Sequence, residues 1–252
     1  MRRILQTALV VALFLSPTLA SRADDTTKAI LEKAIKAHGG IDKVGKERAT
    51  TTKSKGTLEV MGLSIKFTSE SLSSSGKFKE SLNLDVMGQN VVQVVGFDGT
   101  NVWITTNGTE TPLTDKMKED INKGIKEQLY MGKLARYAFL NDKSVQTSAS
   151  GEVKVENKPA VGVRISSKDH KDVNVYFDKE SGLLVKIERQ TTDVMTGTDV
   201  SEERVITEFQ EFEGLKVAKK AVITKDGKKF MDLEIEDMKF SDKLDDSLFV
   251  KP

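Results

Sequence analysis

The chain has 252 residues, 39 Lys+Arg against 38 Asp+Glu for a formal net charge of +1, and no Cys. The lack of Cys excludes disulfides, thiolate nucleophiles, zinc ribbons and iron–sulfur clusters. The balanced charge gives no footprint for nucleic acid, whose phosphates demand clustered, excess Lys and Arg. Only His38 and His170 are present, so a His-built metal site is not expected, and no cofactor is implied.

Arg2 and Arg3 precede an apolar stretch from Ala8 to Leu15 and then Ser16-Pro17-Thr18-Leu19-Ala20. A basic start, a short apolar centre and small residues before the junction describe a secretory signal peptide over residues 1–23, cleaved after Ala20 or Ala23. The stretch falls short of the roughly 20 apolar residues that span a bilayer. Loss of Arg2, Arg3 and Arg22 leaves 36 basic against 38 acidic side chains, a formal −2. The expected product is a soluble, exported, periplasmic or secreted protein, a single domain over residues 24–252.

From Asp24 to His38 the spacing predicts a helix, with Ala29, Ile30, Ala34, Ile35 and Ala37 recurring at threes and fours. Asp24 and Asp25 suit its N-terminus, Gly39-Gly40 end it, and His38 sits where its ring meets free carbonyls. Strands follow. Thr57–Val60, Leu63–Phe67, Leu82–Val86, Val161–Ile165, Val173–Phe177 and Met231–Ile235 alternate with period two, the pattern of antiparallel strands with one wet face. Turn residues separate them, including Gly76, Asp98-Gly99, Asn107-Gly108, Gly151, Gly182, Glu213-Gly214 and Asp226-Gly227. The reading is mainly β with α: one curved antiparallel sheet of about ten or eleven strands.

Between Thr114 and Leu140 the alternation stops. Met117, Ile121, Ile125 and Leu129 recur every fourth residue, Leu134, Ala138 and Phe139 extend the stripe, and Thr114-Asp115 caps the start. This is one amphipathic helix, or two hinged near Gly132. Gly124 and Gly132 cost it about 1 kcal/mol each relative to Ala, which either loosens its docking or permits close packing. Strand twist makes so large a sheet curl. Its apolar face then becomes a trough that the two helices cover.

Ala29–Ala34 through Ala37-His38-Gly39-Gly40, Phe97–Trp103, Val175–Leu184, Phe209–Lys216 and Leu244–Phe249, in this order and spacing, resemble the periplasmic lipoprotein-carrier (LolA-like) superfamily. The resemblance implies a half-barrel of antiparallel strands whose apolar concavity is lidded by helices. It further implies non-covalent binding of acyl lipid or the lipid part of a lipoprotein, with membrane-bound loading and receiving proteins as further partners. It also implies a basic gating residue near the lid, for which Arg48 and Arg136 are nearby candidates.

Each buried methylene contributes about 0.8 kcal/mol, so a sixteen-carbon chain gains on the order of 12 kcal/mol when desolvated. The expected lining is Leu63, Ile65, Phe67, Leu82, Leu84, Val86 and Trp103 from the sheet, with Met117, Ile121, Ile125 and Leu129 from the lid. An enzyme is not expected. Leu72–Gly76 lacks the first Gly of a nucleophile elbow, no phosphate-cradling loop precedes Lys-Ser/Thr, and Asp24-Asp25 and Asp245-Asp246 sit where helix caps belong. Asn107-Gly108-Thr109 reads as a hairpin turn rather than a glycosylation site. The alternatives to a lipid carrier are an envelope sensor or interaction module of the same fold, and a scaffold with a filled core. Oligomeric state is not legible.

Overall fold

The computed structural model describes residues 18–137, 140, 142–192 and 198–251. The apolar stretch Ala8–Leu15, Ala138, Phe139 and the terminal Pro252 lie outside the described residues. Helix α1 (Thr18–Ala37) is followed by β1 (Ala49–Val60), β2 (Leu63–Ser74), β3 (Lys77–Val86), β4 (Gln89–Phe97), β5 (Val102–Thr106) and the two-residue β6 (Thr109–Glu110). Helix α2 (Asp115–Ala135) then leads to β7 (Gln146–Val155), β8 (Lys158–Ser166), β9 (Val173–Asp178), β10 (Leu184–Thr192), β11 (Asp199–Phe212), β12 (Leu215–Lys225) and β13 (Lys228–Ser241). A 3-10 turn over Asp246–Phe249 closes the described chain.

The thirteen strands among the described residues form one open antiparallel sheet in the order β6-β5-β4-β3-β2-β1-β13-β12-β11-β10-β9-β8-β7. The expectation of ten or eleven strands is therefore corrected to thirteen. Two meanders, β1 to β6 and β7 to β13, join where β1 pairs with β13. Helix α2 connects the two free edges, because it links β6 to β7 in the chain.

That connection requires the sheet to bend. Ile125 packs with Phe78 and Phe97 on β3 and β4, while Tyr130, Met131 and Leu134 pack with Val163, Ile165, Val173 and Val175 on β8 and β9. From Ile125 to Leu134 the helix rises only about 14 Å, whereas eight strand spacings from β4 to β9 would span about 38 Å in a flat sheet. The two wings must curl toward α2.

Local chemistry agrees with these elements. Thr114 caps α2, its Oγ1 accepting from Met117 N at 3.3 Å. One helix runs unbroken through Gly132, so no hinge divides it. Helix α1 starts earlier than expected, which places Asp24 and Asp25 inside it rather than at its first turn, and includes Ala20 and Ala23. Asp245 does cap, with Oδ1 accepting from Ser247 N at 2.8 Å. Asn107-Gly108 forms the expected hairpin turn, both residues at positive φ, and Asn107 Oδ1 accepts from Val92 N at 2.9 Å. No helix among the described residues is long and apolar enough to cross a membrane.

A candidate apolar trough on the inner face

Residues paired across strands share a face, so the register maps the side of the sheet that meets the helices. One cross-sheet row runs Ile206, Ala221, Leu233, Gly56, Phe67, Leu84, Val91. A parallel row runs Val163, Val175, Ile187, Arg204, Ile223, Met231, Leu58, Ile65. Ile206, Ala221, Val163, Val175 and Ile187 belong to the core cluster under α1 and α2, which identifies both rows as inner. Apart from Gly56 and Arg204 every member is apolar.

The helices cover this face only at the wings. Helix α1 lies against β7 and β8, and α2 against β5; the cluster around Ile125 and the cluster around Leu134 remain separate. Between them the inner residues of β1, β2, β3 and β13, among them Leu58, Ile65, Leu82, Leu84, Val86, Met231 and Leu233, stay partly exposed, and Leu63 is 47 % exposed. The expectation of helices covering the concave face thus holds only at the wings: the middle is an open, apolar strip.

The sequence-derived lining residues divide into three groups. Leu63, Ile65, Leu82, Leu84 and Val86 lie together on the open strip with Phe67, although Phe67 is itself buried. A Cβ on Gly56 would sit 2.8 Å from the Phe67 ring, so this glycine is what lets the ring lie across β1. Ile121, Ile125 and Leu129 face the sheet but are already packed against Phe78, Phe97, Val95 and Val102, and Met117 is 43 % exposed. Trp103 is on the other side. It pairs with Gly96 while its neighbour Val102 faces α2, its indole lies over the bare Gly96, and its Nε1–H donates to Phe249 O at 3.2 Å. It anchors the C-terminal 3-10 turn and does not line the trough.

Neither basic candidate near the lid stands over the open strip. Arg48 pairs with Glu213 at 3.5 Å. Arg136 caps the end of α2, its carbonyl accepting from Gly45 N at 2.6 Å, and burial holds its guanidinium below the usual range. A polar latch was missed in the sequence: the Tyr130 and His170 rings stack at 3.8 Å, and His170 Nδ1 is 2.8 Å from Glu127 Oε1, tying α2 to the β8–β9 loop beside a 290 Å³ cavity. Glu80 also shares the inner face, opposite Ser71 and Val95, and burial pushes its carboxyl up.

A 710 Å³ groove crosses the middle of the sheet from β11 through β12, β13, β1, β2 and β3 to β4. Most of its lining residues, such as Lys55, Thr57, Lys66, Asp85, Lys220 and Asp232, pair one register position away from the apolar rows and so face outward. Gly56, Phe67, Ala221 and Leu233 of the apolar row line it as well, while its polar rim belongs to the outer face.

No family model and no curated protein matches the chain. Solved structures do. A LolA superfamily protein from Nitrosomonas europaea aligns over 89 % of this chain and 97 % of its own at 13 % identity, with a TM-score of 0.52. A DUF1329 family protein from Desulfovibrio piger aligns over the same shares at 12 % identity, also with a TM-score of 0.52. The likeness spans nearly the whole described chain, and the protein has a LolA-like fold.

Proposed function

We propose that this is an exported lipid-binding protein whose open inner strip shelters an acyl chain, with carriage of lipid or lipoprotein through the periplasm as its fuller role. The observation that carries the reading is the continuous row Met231, Leu58, Ile65 beside Leu233 and Leu84, apolar yet left partly exposed between two helix-packed wings, with Ile223 and Phe67 buried among them. Soluble proteins rarely leave a contiguous apolar surface without a use for it. Burial at about 25 cal/mol per Å² stabilises a bound chain without any directional contact, which suits a strip whose middle offers few hydrogen-bonding groups.

On this reading residues 1–23 are removed as a signal peptide, residues 24–252 act as one domain, and α2 is the movable cover. Leu63, Ile65, Phe67, Leu82, Leu84 and Val86 form the floor, with Ile121, Ile125 and Leu129 leaving their packed positions only where the cover lifts. Titration of the purified chain with the neutral probe N-phenylnaphthylamine tests it. Saturable binding that a long-chain alcohol reverses, and that Ile65→Asp weakens at least about tenfold, is the expected result. A chain that binds no probe, or an Ile65→Asp variant that binds as well as the unaltered protein, contradicts it.

A further inference from the structure

We propose that the inner face also holds an acidic headgroup, a phosphate or carboxylate, at Arg189 and Arg204, which makes the ligand an anionic amphiphile. This deepens the trough reading and rests on it.

Arg189 and Glu202 face each other across β10 and β11, with Arg189 Nε donating to Glu202 Oε1 at 2.9 Å and side chains only 10 % and 12 % exposed. Arg189 Nη1 is buried and has no hydrogen-bond partner. Two residues along β11, Arg204 lies on the same face between Ile187 and Ile223. Lys225 pairs with Glu202 from the other side. Among the described residues, the guanidinium groups of Arg189 and Arg204 therefore share the one carboxylate of Glu202 on this part of the inner face, while Lys225 Nζ lies 3.8 Å over the Phe230 ring.

A buried charge is normally matched by an opposite one. Here Glu202 serves Arg189, and the positive charge of Arg204 is left over. Burial lowers the Arg204 pKa, opposed by Glu202 and assisted by Arg189, which agrees with an unbalanced cation. Guanidinium groups present planar donor pairs that match the oxygens of phosphate and carboxylate. The position completes the picture. From Arg204 the row continues through Ile223, Met231 and Leu58 to Ile65, four strand spacings or about 19 Å. A headgroup at the arginines thus places its chain along the open strip.

Displacement of N-phenylnaphthylamine by dodecyl phosphate, dodecanol and inorganic phosphate tests the assignment. Dodecyl phosphate is expected to displace the probe from the unaltered protein at about one-tenth the concentration of dodecanol or less. Arg204→Met and Arg189→Met should each remove that preference, so that dodecyl phosphate and dodecanol displace the probe at equal concentrations. A preference that persists in excess inorganic phosphate supports a lipid headgroup; one that the phosphate abolishes assigns the cations to the free ion and overturns the lipid assignment. Equal potency of dodecyl phosphate and dodecanol in the unaltered protein overturns the headgroup site and leaves the trough standing. Failure of the probe to bind at all overturns the trough, and the headgroup site with it.

Discussion

His38 and Tyr137, 99 residues apart in sequence, meet inside the C-terminal wing, where the Tyr137 hydroxyl lies 3.1 Å from His38 Nδ1. Nδ1 also lies 2.9 Å from Ala34 O, and Nε2 accepts from Leu184 N at 3.4 Å, an arrangement for a neutral ring protonated at Nδ1. One imidazole thereby links the end of α1, the chain after α2 and the start of β10.

Burial lowers the His38 pKa from its ordinary value of 6.5. The unfolded chain then binds the proton more readily than the folded one, so stability is fully present above about pH 6.5 and is lost as pH falls toward the folded value. Urea unfolding at pH 7.5 and 5.5 should show a drop in the midpoint that His38→Gln largely removes. His38→Ala should cost about 2 kcal/mol at pH 7.5 and less at pH 5.5, through a cavity and an unpaired Leu184 N–H.

Trp103 is the single tryptophan of the chain, which makes its environment directly readable. Removal of residues 246–252 should uncover the indole and shift its emission to longer wavelength. Trp103→Phe should cost about 1 kcal/mol, since Phe249 O loses its donor. Binding in the trough should leave the emission nearly unchanged, because the ring is on the opposite face.

Met61 and Met87 occupy the first positions of the β1–β2 and β3–β4 turns at φ 53 and 54, each followed by a glycine at positive φ. Asn or Asp is the usual residue there, since the left-handed region costs other side chains about 1 kcal/mol or more. Both methionines are almost fully exposed. Met61→Asn and Met87→Asn should each raise the melting temperature by about 2 °C, a change that thermal unfolding resolves.

Gly132 lies within α2, and a Cβ there would meet only Arg136 Nη2, at 3.8 Å. Close packing therefore does not require this glycine. Gly132→Ala should stabilise the protein by about 1 kcal/mol, and, where α2 acts as a movable cover, it should slow release of a bound probe in stopped-flow measurements.

The antiparallel sheet, the cap at Thr114 and the stripe Ile121, Ile125, Leu129 were legible because each is written in local periodicity. The missing strands were not: β6 has two residues, and β7 (Gln146–Val155) carries Gly151 and no sustained apolar alternation, so both exist only through their partners. The side taken by Trp103 depends on Gly96 and on Phe249, 146 residues away. The grouping of Arg189, Glu202 and Arg204 likewise depends on the β10–β11 register. Long-range pairing set these features, and periodicity carries no information about it.

Organic-solvent extraction of the purified chain, followed by mass spectrometry, probes the acyl-binding claim most directly. Acyl lipid in near-equimolar amount from the unaltered protein, and its loss from a Leu58→Asp, Ile65→Asp double variant that still unfolds cooperatively, is the predicted result. An extract free of acyl lipid, from protein that also fails to take up added dodecyl phosphate, would contradict it.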